Sequence, residues 1–339
     1  MCGIVGAVNL SNKRRMREED ITRMAETMVH RGPDDSGIFV DDRIALGHRR
    51  LTIIDLSSLG RQPMIDSTGK VTIVYNGEIY NYIEIKEILL KKGYVFNSNT
   101  DTEVILNAYL EYGIECLVQF NGMFAFALYD KRNDKVFVVR DRIGIKPLYY
   151  TQRDGRLIFS SEIKGILKYP DFKTSVNLNG VSSYLSCRYP IRENTLFENI
   201  SSLLPGNYLE ISAEKVTRKQ YWDMPVCEEK EDRGEEYYLR HVHSLLETAV
   251  KYRMRSDVPF GAYLSGGLDS SIIVAMMSKF TDEPVKTFTI GFDVKGYNEF
   301  DYARLVADRY QTNHFEITLS SKHYIDNMIK LIRYKDSPL

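Results

Sequence analysis

Ten consecutive positions past the middle of the chain, Cys227-Glu-Glu-Lys-Glu-Asp-Arg-Gly-Glu-Glu236, carry eight charges and one glycine. Such a stretch cannot sit in a hydrophobic core, because desolvating unpaired charges costs far more than a core of this size returns. The chain is therefore expected to form two bodies joined by a solvated linker. Its 339 residues suit two domains at roughly 150 residues each. With 43% hydrophobic and 27% charged residues it is expected to be globular rather than disordered. Forty-five Lys and Arg against 46 Asp and Glu leave a formal charge of -1, which argues against a nucleic-acid groove or a polybasic membrane surface as its main business. No apolar run is long enough to predict a transmembrane helix. The N-terminus is apolar first and basic afterwards (Lys13, Arg14, Arg15), the reverse of a secretory signal. Four cysteines without a CxxC pair predict neither a disulfide framework nor a zinc site, and a reducing cytoplasm fits them best.

The two sides of the linker are patterned differently. Upstream, residues 2–9, 44–54, 71–76, 122–129, 135–140, 157–160 and 207–212 read as strands, and residues 31–37 as a loop. Helical spacing predicts helices over residues 18–29, 82–92 and 101–112, the last opened by Ser98-Asn-Thr-Asp101 with Glu103 behind it. Downstream, strands at 260–264, 285–292 and 314–319 alternate with helices at 236–255, 269–280, 300–310 and 321–333, which implies a parallel α/β sheet. Three strands are few for a sheet that must be covered on both faces and hold a ligand crevice, so the chain reads as C-terminally truncated.

Cys2 is the residue with the most chemistry to offer. Removal of Met1 would leave a cysteine with a free α-amine, whose pKa of about 7.7–8.0 lets it act as a base near neutrality. It could then take the proton of its own thiol, directly or through a water, so that one residue is both nucleophile and base. The plainer reading is a buried thiol on a first strand.

Met1-Cys-Gly-Ile-Val-Gly6 resembles the start of the class II glutamine amidotransferases, which are N-terminal-nucleophile hydrolases. The resemblance continues in order through His30-Arg-Gly-Pro-Asp34, Gly47-His-Arg-Arg-Leu51, Tyr75-Asn-Gly-Glu-Ile-Tyr-Asn81 and Thr100-Asp-Thr-Glu-Val104. Phe120-Asn-Gly-Met-Phe-Ala-Phe126, Arg140-Asp-Arg-Ile-Gly-Ile-Lys-Pro147 and Ser160-Ser-Glu-Ile-Lys164 complete it. It implies an α+β, four-layer αββα N-terminal-nucleophile hydrolase domain of two mainly antiparallel sheets over residues 2–223, followed by a linker at 224–236. It also implies that Cys2 attacks the glutamine side-chain amide, while Asn76 (side-chain amide) and Gly77 (backbone N–H) donate to the oxyanion that forms. Gly77 would let the backbone approach the reacting centre without a Cβ. The competing reading of Asn76-Gly77 is a hairpin turn. Arg50 is implied to grip the glutamine α-carboxylate, Asp101 with Glu78 to pair its α-ammonium, and backbone at Ile53 to lie against the same ligand. Arg49 and Arg50 point to opposite faces of a strand; spacing leaves the choice between them even, and the resemblance selects Arg50.

Leu264-Ser-Gly-Gly-Leu-Asp-Ser-Ser271 lies between a predicted buried strand and a predicted helix. It is not a Walker loop. Gly266 and Gly267 let backbone N–H groups converge, the helix beginning near Asp269 offers its positive end to an anion, and Ser265, Ser270 and Ser271 add hydroxyls. The alternative is a glycine turn with a capping Asp or Ser. The loop resembles the SGGxDS loop of the ATP pyrophosphatase superfamily. That implies a partial α/β parallel-sheet (PP-loop) domain over residues 237–339, with ATP as substrate, Mg²⁺ beside it, and adenosine contacts at Leu264 and Ile290. His241 and His243 stand two apart on a predicted helix and do not face each other, so no metal ligands are assigned.

The combination resembles the asparagine synthetase family, which implies glutamine, aspartate and ATP as substrates. Two other readings remain open: a related amidotransferase acting on another carboxylate, as in surface-polysaccharide synthesis, and a glutamine-binding module without turnover. A homodimer is a candidate assembly.

Overall fold

Residues 3–9 are apolar or glycine up to the last position because the strand they form, β1 (Gly3–Asn9), is buried on both faces. This follows from a computed structural model of the chain, which describes all residues except 12–15, 214, 227–230, 295, 297 and 339. The described chain divides into two compact units, Met1–Pro225 and Val226–Leu339.

The first unit begins with β1, α1 (Glu18–Glu26), β2 (Asp35–Val40), β3 (Ile44–Arg50), β4 (Met64–Ile65) and β5 (Val71–Ile79). It continues through α2 (Tyr82–Lys91), α3 (Asp101–Tyr112), β6 (Gly122–Asp130), β7 (Lys135–Arg140), β8 (Tyr149–Arg153) and β9 (Arg156–Ser160). It closes with α4 (Ile163–Leu167), α5 (Leu178–Cys187), β10 (Ser201–Ser202), β11 (Asn207–Ser212) and β12 (Lys215–Gln220). Two six-stranded antiparallel sheets result, ordered β10-β8-β9-β1-β3-β2 and β12-β11-β7-β6-β5-β4. Alternation along the strands sorts the side chains into layers. Ile4 and Val8 of β1 meet Val74 of β5 and Ala125 and Ala127 of β6 in a core between the sheets. Val5 and Ala7 face the other way, onto Ile21 and Met24 of α1 and Ile163 and Ile166 of α4. The outer face of the second sheet packs on Ile85 and Leu89 of α2 and Val104 and Ile105 of α3. Helix, sheet, sheet and helix make the expected αββα sandwich.

Several boundaries differ from the sequence reading. The strand predicted over 44–54 ends at Arg50, whose side chain turns to hydrogen-bond the carbonyls of Asp55 and Ser57 and so peels the following segment off the sheet. The strand predicted over 71–76 runs on to Ile79 because Gly77 and Glu78 keep pairing with Phe124 and Met123. The helix predicted over 18–29 stops at Glu26. Half of the predicted loop 31–37 is the start of β2, an edge strand with a polar beginning that pairing with β3 holds extended. α3 begins where expected: the Thr100 hydroxyl accepts from Glu103 N–H at 3.2 Å, and the Glu103 carboxylate returns to the N–H groups of Asn97 and Ser98 at 2.8 and 2.7 Å.

The second unit comprises α6 (Glu235–Arg253), β13 (Gly261–Tyr263), α7 (Leu268–Met277), β14 (Lys286–Phe292), α8 (Phe300–Tyr310), β15 (Asn313–Leu319) and α9 (Ser321–Lys335). Its strands form a parallel sheet ordered β13-β14-β15, as the alternation implied. Leu264 and Val274 pack with Ala303 and Ala307 of α8, and Val250 of α6 packs with Met276, Met277 and Val285. The predicted linker at 224–236 spans the change of unit; its residues 227–230 lie outside the described residues.

Candidate active site

Cys2 stands just before β1, and the pairing of Gly3 with Arg49 brings it level with the end of β3. Its Sγ accepts from Leu51 N–H at 3.4 Å and donates to the Leu51 carbonyl at 3.7 Å. Burial pushes the thiol up, against the pull of the Leu51 N–H, the chain terminus and Arg50. Burial likewise lowers the α-amine of Met1, the residue ahead of Cys2, with Arg31 and Lys146 adding to the effect.

A cavity of about 220 Å³ opens beside Cys2. It is lined by all seven residues the sequence singled out for glutamine: Cys2, Arg50, Ile53, Asn76, Gly77, Glu78 and Asp101. They arrive from five places: the chain terminus, β3, the segment after it, β5 and the start of α3. Asn76 is fully buried on β5, and neither its Oδ1 nor its Nδ2 has a hydrogen-bond partner. A buried amide left so costs stability, which is the mark of a group kept for a ligand. Asn76 and Gly77 sit inside β5, opposite Ala125 and Phe124, so they are not a hairpin turn. The strand pairing gives a further reason for the glycine. A Cβ on Gly77 would stand 2.3 Å from the Met123 carbonyl oxygen and 2.7 Å from Phe124 Cα, so its absence lets β5 lie against β6.

Arg50 is buried, with Nη1 on the Ser57 carbonyl at 2.9 Å and Nη2 on the Asp55 carbonyl. The Asp55 carboxylate in turn accepts from Ser57 N–H at 3.0 Å and Asn99 N–H at 2.8 Å. Gly60 leaves room for the guanidinium, since a Cβ there would lie 2.1 Å from Nη2. Arg49 does not line the cavity. Asp101 Oδ2 accepts from the Tyr75 hydroxyl at 2.7 Å and from Ile79 N–H at 2.9 Å. Burial still outweighs these bonds and raises its carboxyl to about 6.

The cavity also holds residues that sequence reasoning left out. Gln62 accepts from Tyr75 N–H at 2.6 Å and donates to the Thr102 hydroxyl at 3.2 Å, tying two walls together. Lys146 is buried in the lining, and burial lowers its ammonium. Tyr75 and Lys146 lie inside sequence blocks already noted; Leu51 closes one, and Gln62 lies in none. Behind the cavity, His48 of β3 is fully buried and donates from Nε2 to the Tyr75 carbonyl at 3.0 Å, joining the two sheets; burial depresses it to about 4.

In the second unit, Leu264 is buried and its N–H donates to the Phe288 carbonyl at 2.9 Å. Gly266 has a φ of +78°, and a Cβ there would lie 2.4 Å from Tyr302 backbone, so this position needs glycine twice over. α7 starts at Leu268 with Gly267 as N-cap and no side-chain cap, so neither Asp269 nor a serine caps it. The Ser270 and Ser271 hydroxyls turn back to the Gly267 carbonyl at 3.1 and 2.7 Å, and Ser265 Oγ lies 3.1 Å from Ser270 Oγ. Asp269 is exposed in the first turn, and Ile290 is exposed on β14. On α6, His241 stacks on Tyr237 and His243 faces Glu247.

Comparison with known proteins places these two sites in a family. Residues 1–222 match the glutamine amidotransferase domain and residues 241–339 match asparagine synthase. The whole chain is 38% identical to a Methanocaldococcus jannaschii protein provisionally named glutamine-hydrolysing asparagine synthetase 2, covering 68% of it. It is 36% identical to glutamine-hydrolysing asparagine synthetase 1 of Bacillus subtilis, again over the whole chain and covering 53% of that protein. The chain thus spans about half to two thirds of the length of these relatives. Among solved structures, the glutamine phosphoribosylpyrophosphate amidotransferase of B. subtilis aligns with a TM-score of 0.50 at 15% identity, covering 93% of this chain and 65% of that one. An allosteric regulatory enzyme of purine biosynthesis aligns with a TM-score of 0.52 at 14% identity, covering 94% and 80%. At such identities the likeness concerns the fold, and the closer sequence matches carry the assignment: the chain belongs to the family of glutamine-hydrolysing asparagine synthetases.

Proposed function

We propose that the first unit hydrolyses glutamine at Cys2 and that the ammonia serves an adenylating site to which the second unit contributes. The unpartnered Asn76 amide, buried in the wall of the Cys2 cavity, carries the reading. The freed α-amine of Cys2 takes the thiol proton, and Sγ attacks the side-chain carbonyl carbon of glutamine. Asn76 Nδ2 and Gly77 N–H hold the oxyanion. Collapse of the adduct, with the proton returned to nitrogen, releases ammonia and leaves a thioester that water cleaves to glutamate. Arg50 grips the α-carboxylate, Asp101 and Glu78 hold the α-ammonium, and the segment at Ile53 lies along the ligand.

In the second unit, Ser265, Gly266, Gly267, Asp269, Ser270 and Ser271 are assigned to the ATP phosphates. The Leu264 side chain is spent in the core, so it would meet adenosine through its backbone, and Ile290 through its exposed side chain. Among the described residues no cluster of His, Cys, Asp and Glu could hold a metal. Mg²⁺ is proposed to accompany the nucleotide phosphates, with Asp269 the carboxylate that the loop offers. In the whole protein the acceptor is aspartate: its side-chain carboxylate takes AMP from ATP, releasing pyrophosphate, and ammonia displaces AMP to give asparagine. The domains are assigned as 2–223 for glutamine hydrolysis and 237–339 for part of the synthetase, in a cytoplasmic and homodimeric enzyme.

Glutamate release from glutamine by Met-processed protein tests the reading. Cys2→Ala is expected to abolish it, while ammonia-dependent synthesis survives in the whole protein. Hydrolysis persisting in Cys2→Ala refutes the nucleophile, and glutamine binding without any release by the unaltered chain favours a sensor.

A further inference from the structure

Two of the eight sequence blocks, His30-Arg-Gly-Pro-Asp34 and Ser160-Ser-Glu-Ile-Lys164, do not line the cavity, yet they meet beside Cys2. Glu162, buried just ahead of α4, accepts from Arg31 Nη1 at 2.9 Å, from His30 Nε2 at 3.0 Å and from the Lys164 ammonium. Arg31 then reaches past this carboxylate, and its Nε donates to the Cys2 carbonyl at 2.9 Å. Next to it, Ser161 N–H donates to the Ile4 carbonyl at 2.9 Å and Ile4 N–H to the Ser161 hydroxyl at 3.0 Å. Residues 161 and 162 thus hold the start of β1 on both sides of Gly3, one directly and one through Arg31.

We propose that Glu162 is a positioning residue for the N-terminal nucleophile, holding Arg31 on the Cys2 carbonyl and thereby fixing where the amine and thiol of Cys2 stand. The inference rests on Cys2 being that nucleophile. Once Met1 is gone, Cys2 is tethered from one side only, and a swing of its peptide plane would carry Cα, and with it both the amine and the thiol, off the reaction path. Clamping the carbonyl removes that freedom before substrate arrives. A carboxylate that stays charged is what holds Arg31 in place. Burial alone would raise the Glu162 carboxyl, but the bonds from Lys164, Arg31 and His30 outweigh burial and keep it ionised, below its ordinary value.

The same pair sets charge near the base. Around the Met1 amine, one residue ahead of the amine that processing would free, lie the Cys2 thiol, Arg31, Lys146 between β7 and β8, and Glu78 of β5. Asp101 of α3 and Arg50 of β3 face the thiol. Glu162→Gln keeps an oxygen for Arg31 but leaves that cation without its counter-charge, whereas Arg31→Gln removes the cation, so the two substitutions should move the Cys2 amine in opposite directions. Losing Glu162 exposes the amine to an unbalanced cation and eases its deprotonation. Losing Arg31 does the reverse.

The test uses the whole, Met-processed chain, with glutamate release followed against glutamine concentration and pH and thermal unfolding alongside. Glu162→Gln is expected to lower kcat by roughly 10–100-fold with KM changed less than about twofold, since the clamp touches no bound substrate. The acid limb of kcat should move to lower pH in Glu162→Gln and to higher pH in Arg31→Gln. An unchanged kcat in Glu162→Gln, or a loss with both limbs unmoved, overturns the proposal. If Glu162→Gln does not fold, Arg31→Gln decides alone by whether its limb rises. An unaltered chain that releases no glutamate defeats the Cys2 reading itself, whereas an active chain indifferent to Glu162→Gln defeats only this inference.

Discussion

Asn76 brings both atoms of its amide to the cavity wall without a partner, and a donor so placed acts when charge develops in front of it. Asn76→Ala is expected to lower kcat by about 10²–10³-fold, about 3 kcal/mol of barrier, with a smaller effect on KM. Asp101 sets a pH dependence. Its carboxyl, raised by burial to about 6, pairs with an ammonium only when ionised. KM for glutamine should therefore rise as pH falls through about 6, and Asp101→Asn should raise KM throughout and remove that inflection. These side chains were legible because each lies in a contiguous block that carries the family resemblance. Gln62 was not, because its importance consists of bonds to Tyr75 and Thr102, which only folding brings near.

Strands β3 and β5 carry much of the site, and they belong to different sheets. His48 joins them through the Tyr75 carbonyl, and Tyr75 holds Asp101. With its imidazole depressed by burial from 6.5 to about 4, the unfolded chain binds this proton over an interval where the folded chain does not. The stability it contributes is whole above about 6.5 and is lost as pH falls toward 4, on the order of 3 kcal/mol in all. Urea midpoints measured on either side of that interval should fall less steeply in His48→Gln. At the next strand pair, Gly77→Ala should destabilise by about 1–3 kcal/mol because Met123 and Phe124 backbone must move aside. The same urea titration reads it. Strand and helix identities followed largely from periodicity, but their ends did not. β3 ends at a side chain that turns to bond the following loop, and β5 continues because a partner strand receives it; both causes are long-range.

The two units differ in how much core each owns. The described residues of Met1–Pro225 enclose three apolar clusters, one between the sheets and one under each helical layer. Among the described residues of Val226–Leu339 the two clusters are small, and α9 buries none of its residues. Residues 1–225 expressed alone should fold and retain glutamine hydrolysis, whereas residues 226–339 alone should melt early and bind hydrophobic dye; calorimetry and dye fluorescence check both. The charged stretch, the apolar first strand, the glycine loop and the eight ordered blocks pointed from the sequence alone to two bodies and, through the family resemblance they carry, to the fold of each and to the residues proposed for the chemistry. These features are local, written in neighbouring side chains and in periods of two and 3.6 residues. What only the tertiary structure decided is why Gly77 must be glycine, that the amide of Asn76 stands unpartnered, and that His30, Arg31 and Glu162 converge behind Cys2. Each depends on how segments far apart in the chain come within about 3–4 Å of one another, the range of hydrogen bonds and van der Waals contact.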